Sequence, residues 1–160
     1  MKKLLLVVVL LMVVAMASYA QVSANVTANV NAVVTVTRLT DLALGNVNQG
    51  ATATVLSNVG AAASFSVVGA ANAPTTCTFA FPANLVDVSA NTMPFTGQIP
   101  RYNVVAGAGA STAFGALAGG TTNSSVGGQL WLYVGGGVTA AALQPAGSYT
   151  GTLTVTVTQP

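Results

Sequence analysis

Apolar and polar residues change places at every second position at both ends of this chain. Near the start, Val22, Ala24, Val26, Ala28, Val30, Ala32, Val34 and Val36 alternate mostly with Ser, Asn and Thr. At the end, Tyr149, Gly151, Leu153, Val155 and Val157 alternate with Thr150, Thr152, Thr154, Thr156 and Thr158. A period of two is that of a strand, which turns successive side chains to opposite faces. Threonine supplies a polar face that is still β-branched. Between these ends, short runs with strand character are divided by Gly, Pro and Asn turns. Ser64–Val68, Thr76–Phe81 and Gln129–Val134 are the clearest. No segment behind residue 20 shows a capped 3.6-residue apolar period, and no unit repeats at fixed spacing. The expected fold is all-β, an immunoglobulin-like antiparallel β-sandwich.

The first twenty residues read differently. Lys2 and Lys3 precede an apolar run from Leu4 to Met16, and Ser18-Tyr19-Ala20 has the small-x-small form of a cleavage site. Residues 1–20 are therefore expected to be a signal peptide, cleaved after Ala20, with export to the periplasm, the bacterial cell surface or the medium. Residues 21–37 would then form an N-terminal amphipathic strand, and residues 38–160 the sandwich. No later apolar stretch is long enough to span a bilayer.

Cleavage would remove both lysines. Behind Ala20 the charged side chains are Arg38, Arg101, Asp41 and Asp87, which cancel. Without a basic patch, phosphate neutralisation by this chain is not expected, and nucleic acid is excluded as a partner. A nearly uncharged surface rich in Thr, Val, Ala and Gly favours self-association. The single cysteine, Cys77, alternates with Phe79 and Phe81 and reads as a small buried hydrophobe.

Chemistry is scarce. Behind Ala20 there is no His, no Glu and no Lys. That removes the usual triads, most general bases and Schiff-base nucleophiles. Asp41 and Asp87 are the only carboxylate side chains, each better read as a local loop or surface residue than as half of a glycosidase pair. Two aspartates and one thiol make no metal site, and no Gly-rich segment carries the residues of a phosphate loop. No enzymatic activity, catalytic residue, cofactor or metal is expected. Trp131 and Tyr133 share one face of a strand. They are candidates for stacking on a sugar ring, although such a pair more often fills a core.

The stretch Leu132-Tyr-Val-Gly-Gly-Gly-Val, followed by Leu143-Gln-Pro-Ala-Gly-Ser-Tyr149-Thr-Gly-Thr-Leu-Thr-Val-Thr-Val157, resembles a family of small exported bacterial β-domains. That family is similar to spore coat protein U and to the major pilins of archaic chaperone–usher pili. Arg38-Leu-Thr-Asp-Leu-Ala-Leu-Gly45 looks like the family's opening strand and turn, with Leu44 in an aromatic place. Phe65-Ser-Val-Val-Gly69 looks like its Phe-x-Val-x-Gly strand. The resemblance implies an immunoglobulin-like sandwich acting as a pilin-like or coat-like subunit. A periplasmic chaperone and an outer-membrane usher are the partners it implies. Coat-U and archaic pilin domains usually carry disulfides, which Cys77 alone cannot form internally.

The functional expectation is a structural subunit joined to its neighbours by β-strand addition. Val22, Val26, Val30, Val34 and Val36 would be the donor side chains. Whether that strand pairs in its own sandwich or in a neighbour's is open at this level. The alternative is a monomeric secreted binding module, for instance for carbohydrate through Trp131 or Tyr133.

Overall fold

A computed structural model describes residues 33–160. They form twelve strands, all paired antiparallel, and no helix occurs among the described residues. In chain order the strands are β1 Thr35–Thr40, β2 Thr52–Val55, β3 Ala63–Val68, β4 Pro74–Ala80, β5 Asn84–Val86 and β6 Thr92–Gly97. They continue with β7 Arg101–Asn103, β8 Thr112–Ala113, β9 Gly119–Asn123, β10 Gln129–Val134, β11 Gly136–Thr139 and β12 Thr154–Thr158.

Three sheets result, ordered β1-β3-β10-β7-β8, β12-β4-β9 and β2-β11-β6-β5. The first two face each other as a sandwich. On β10, Leu130, Leu132 and Val134 point inward and are fully buried, while Trp131 and Tyr133 point outward. The inward residues meet Phe65 and Val67 of β3 and Cys77 and Phe79 of β4. This is the period-two pattern made physical: one face of each strand leaves water and the other keeps it. Tyr102, Phe114 and Phe79 add tilted ring contacts at 4.8 and 5.6 Å.

The third sheet grows from the same strands. β10 runs on through Gly135 into β11, and β6 runs on through Gln98–Pro100 into β7. The two long strands stay paired from Val138↔Phe95 to Trp131↔Asn103. A second, smaller core forms there around Met93, Val138 and Ala140.

Two local expectations change. The glycine triplet 135–137 reads as a strand terminator, yet Gly136 and Gly137 lie within β11. The last strand is expected from Tyr149, yet only Thr154–Thr158 pair with β4. Ahead of them, Thr150 alone bridges to Val86. The Gly-rich segment 106–128 carries two weak strands, β8 and β9. Pro94 lies inside β6, just beyond the end of the β11 ladder, so its missing N–H breaks no rung.

Leu132→Ala should lower the unfolding free energy by about 2–5 kcal/mol, because a fully buried side chain leaves a cavity between two sheets. Urea unfolding followed by tryptophan fluorescence measures it.

A strand-shaped groove as the candidate functional site

Past β1 the chain leaves its sheet without curling up. The register of β1 against β3 slips between Arg38 and Thr40, a bulge at Leu39. The Thr40 hydroxyl then donates to the Ala62 carbonyl at 3.1 Å and shares a 2.7 Å hydrogen bond with the Ser64 hydroxyl. Arg38 and Asp41 pair at 2.9 Å, both mostly exposed, an interaction worth under about 1 kcal/mol. Beyond that point Leu42 and Leu44 point inward while Asp41 and Ala43 face solvent. The segment therefore keeps the pleat of a strand. It has no ladder partner among the described residues. Gly45, at φ +71°, ends it where the sequence places a turn.

An equivalent segment lies at the other end of the chain. Thr150 exchanges both backbone hydrogen bonds with Val86, at 2.8 and 3.0 Å. The pleat then turns the N–H and C=O groups of Tyr149 and Gly151 away from β5. Leu153 enters the main core and Tyr149 the smaller one.

These two segments line a groove of about 1500 Å³. Its apolar floor comes from Ala63, Phe65, Phe81, Leu85, Met93 and Phe95. Phe81 and Phe95 stack with ring centroids 6.3 Å apart and planes 23° apart. Room for the rings comes from a cross-strand pair of glycines, Gly136↔Gly97. A methyl on Gly97 would lie 2.7 Å from the Phe81 ring, and one on Gly136 would run into Phe95. The far end is closed by polar side chains. Gln49 donates to the Gln144 carbonyl at 2.8 Å. The Gln144 amide donates to the Thr92 carbonyl at 3.1 Å and to the Tyr149 hydroxyl at 2.7 Å.

Asp41–Leu44 spans about 13 Å at strand rise. The groove is lined along its sides by the Asp41–Leu44 and Tyr149–Leu153 segments. Polar backbone strips flank it and apolar pockets form its base. This is what an added strand uses: main-chain hydrogen bonds on both sides and alternate side chains downward.

The sequence-derived candidates fall in different places. Val22, Val26 and Val30 lie outside the described residues. Val34 packs against the chain's own main core, and Val36 pairs with Val67 across β1 and β3. Those two valines are thus engaged at home, and strand β1 straddles the 37/38 boundary expected between donor strand and sandwich. Tyr133 is buried beneath the loop after β7, and its hydroxyl accepts the Gly107 N–H at 2.6 Å. Trp131 stays partly exposed, across from Ser66 and Asn103. The two rings do not form one open platform.

The aspartates do local work. Asp41 pairs with Arg38. Asp87 accepts the Asn91 side-chain amide at 2.8 Å and the Asn91 and Ser89 backbone N–H groups. Those bonds, the Asn91 side chain first, hold its carboxyl below the usual range. Burial pushes the Cys77 thiol up to about 12, so it stays protonated and unreactive. No group of three or more His, Cys, Asp or Glu gathers among the described residues.

Gly136→Ala should destabilise the domain by about 1–3 kcal/mol, since the new methyl displaces Phe95 from the floor. Thermal unfolding by circular dichroism reads the change.

No curated protein matches the sequence. A family model does match, over residues 15–158. The chain therefore belongs to the family described as Domain of unknown function (DUF4402).

Proposed function

We propose that this protein is a non-enzymatic structural subunit of a bacterial surface or periplasmic assembly, pilin-like or coat-like, whose copies join by β-strand addition. Residues 1–20 act as the cleaved leader. The sandwich is immunoglobulin-like, and the N-terminal strand of one copy completes that of the next. A periplasmic chaperone and an outer-membrane usher are the export partners this reading calls for. The observation that carries it is the groove between Asp41–Val47 and Gly147–Leu153, apolar below and flanked by backbone that has no ladder among the described residues.

The donor fits in kind. Val22, Val26 and Val30 alternate with Ser, Asn and Thr, so one face is apolar and the other polar. Each fully buried valine contributes roughly 1.5 kcal/mol or more, and backbone hydrogen bonds add to it. A slip of one residue would turn Asn and Ser inward, so the register is strict.

Two features favour a neighbour's groove over the chain's own. No Gly or Pro occurs between Gln21 and Leu44 to turn a tight hairpin. β1 is also already in place from Thr35. A reversal immediately before it would set Val22 opposite Gly45 at the farthest, leaving Val47 and Gln49 beyond its reach. A strand from another copy has no such limit. The rival reading, a monomeric carbohydrate-binding module, retains only Trp131, because Tyr133 is covered.

Val26→Asp with Val30→Asp should abolish polymers on size-exclusion chromatography and electron micrographs while leaving the circular dichroism and unfolding transition of the domain unchanged. Collapse of the domain itself would mean that the strand completes its own sandwich.

A further inference from the structure

We infer that the two long sheet edges of the sandwich are unequal: Arg38 and the bulge beside it close the edge of β1 to strand pairing, and the outer edge of β12 is where an added strand docks. The docking on β12 rests on the strand-addition reading; the closure of β1 does not.

Among the described residues six strands end a sheet: β1 and β8, β2 and β5, β12 and β9. β8, β2 and β5 are four residues or shorter, and β9 opens on Gly119-Gly120. Short or glycine-bearing edges make poor templates for another chain. That leaves β1 and β12, of six and five residues. Both lead out of the groove. β1 runs into the Asp41–Leu44 wall, and the Tyr149–Leu153 wall runs into β12.

Along β1 the register sets the face of each side chain. Val36 lies opposite Val67 and Arg38 opposite Phe65, and both partners are buried in the main core. Residues directly opposite in a ladder share a face. Arg38 therefore occupies the next place in the inward row that holds Val34 and Val36. Its side chain is still 69% exposed, because at an edge a long side chain reaches out to water, and Asp41 holds it there at 2.9 Å. A chain pairing with β1 would cover that guanidinium and strip it of water. The Leu39 bulge breaks the even spacing of the edge at the same place. An inward-facing charge and a bulge are two of the devices by which sheet edges resist pairing.

β12 has neither. Its register against β4 is unbroken from Thr154↔Ala80 to Thr158↔Thr76. Its sequence, Thr-Val-Thr-Val-Thr, carries no charge, no Pro and no Gly. Val155 and Val157 pack on the main core yet stay half-buried. A strand laid along this edge finds apolar surface, and backbone groups with no ladder partner among the described residues. The occupant is the segment 22–32 of a second copy. It is longer than β12, it carries no charge, and its Val and Ala residues recur at every second place as the valines of β12 do.

Backbone hydrogen exchange of the full chain, compared between the polymer and the non-assembling Val26→Asp, Val30→Asp variant, tests the docking edge. Amides of residues 153–158 should slow by at least about tenfold on assembly, because a new ladder protects those that β4 leaves open. Amides of Thr35–Thr40 should keep their rates. Equal slowing at β1, or none at β12, overturns the docking edge. Arg38→Val in the same non-assembling background tests the closure of β1. It should turn the monomer into concentration-dependent oligomers on size-exclusion chromatography while the circular dichroism of the fold is kept. Arg38→Lys, which retains the charge, should stay monomeric. Arg38→Thr replaces Arg38→Val should valine disturb the fold, with the same outcome expected. An uncharged variant that folds and stays monomeric overturns the closure. If the unmutated chain forms no polymer, strand addition and the β12 docking edge fall together, and the Arg38 variants still decide β1.

Discussion

One strand belongs to two sheets, and it can do so only at Gly135. A side chain there would collide with the Val55 carbonyl and lie 2.6 Å from the Ser57 amide. With hydrogen alone, the Gly135 N–H reaches the Ser57 hydroxyl at 2.8 Å, and its carbonyl accepts the Gln98 N–H at 3.1 Å. The backbone is therefore satisfied on both sides while the strand passes from the main core to the smaller one. That passage keeps β6 and β7 aligned with β11 and β10 as one long pair. It also delivers Gly136 opposite Gly97, and so the flat aromatic floor.

The groove follows from a mismatch between side-chain and backbone satisfaction. Leu42, Leu44, Tyr149 and Leu153 find apolar surroundings, which anchors both flanking segments. Their main chains keep strand geometry without a ladder between them. Sheet edges usually avoid this state, because unpaired N–H and C=O groups recruit other chains. Among the described residues such backbone lies beside buried apolar surface, a combination that would suit addition of a strand in one register. The ion pair at its mouth and the glutamine network at its end contribute shape more than binding energy.

Much of the fold was legible because period two is a local signal. β3, β4 and β10 lie where alternation puts them, with Cys77 inward, but on β10 it is the leucine face and not the Trp131–Tyr133 face that enters the core. Gly45 takes the positive φ its turn needs. What escaped were the places where glycine serves contact rather than flexibility. Gly119 opens β9 because a side chain would strike the Cys77 carbonyl, and Gly136 and Gly137 lie inside a strand for similar reasons. The groove itself was not legible, since its two walls are about a hundred residues apart and neither looks unusual alone. The sole hint was that Asp41-Leu-Ala-Leu-Gly45 goes on alternating after β1 should have ended. Trp131 and Tyr133 were correctly put on one face, but no local pattern shows that a loop with Gly107 would fold over the tyrosine.

The chain begins its described course at one end of the sandwich, and the groove closes at the other. That placement is directional. Copies linked through these two features could either close as a two-fold pair that swaps strands or repeat one displacement in an open series. In the open series each junction would repeat the same displacement, and the fibre would have unlike tips. One tip would then offer an unfilled slot and the other an unspent strand, so its length would be set by whatever occupies either tip and stops the series.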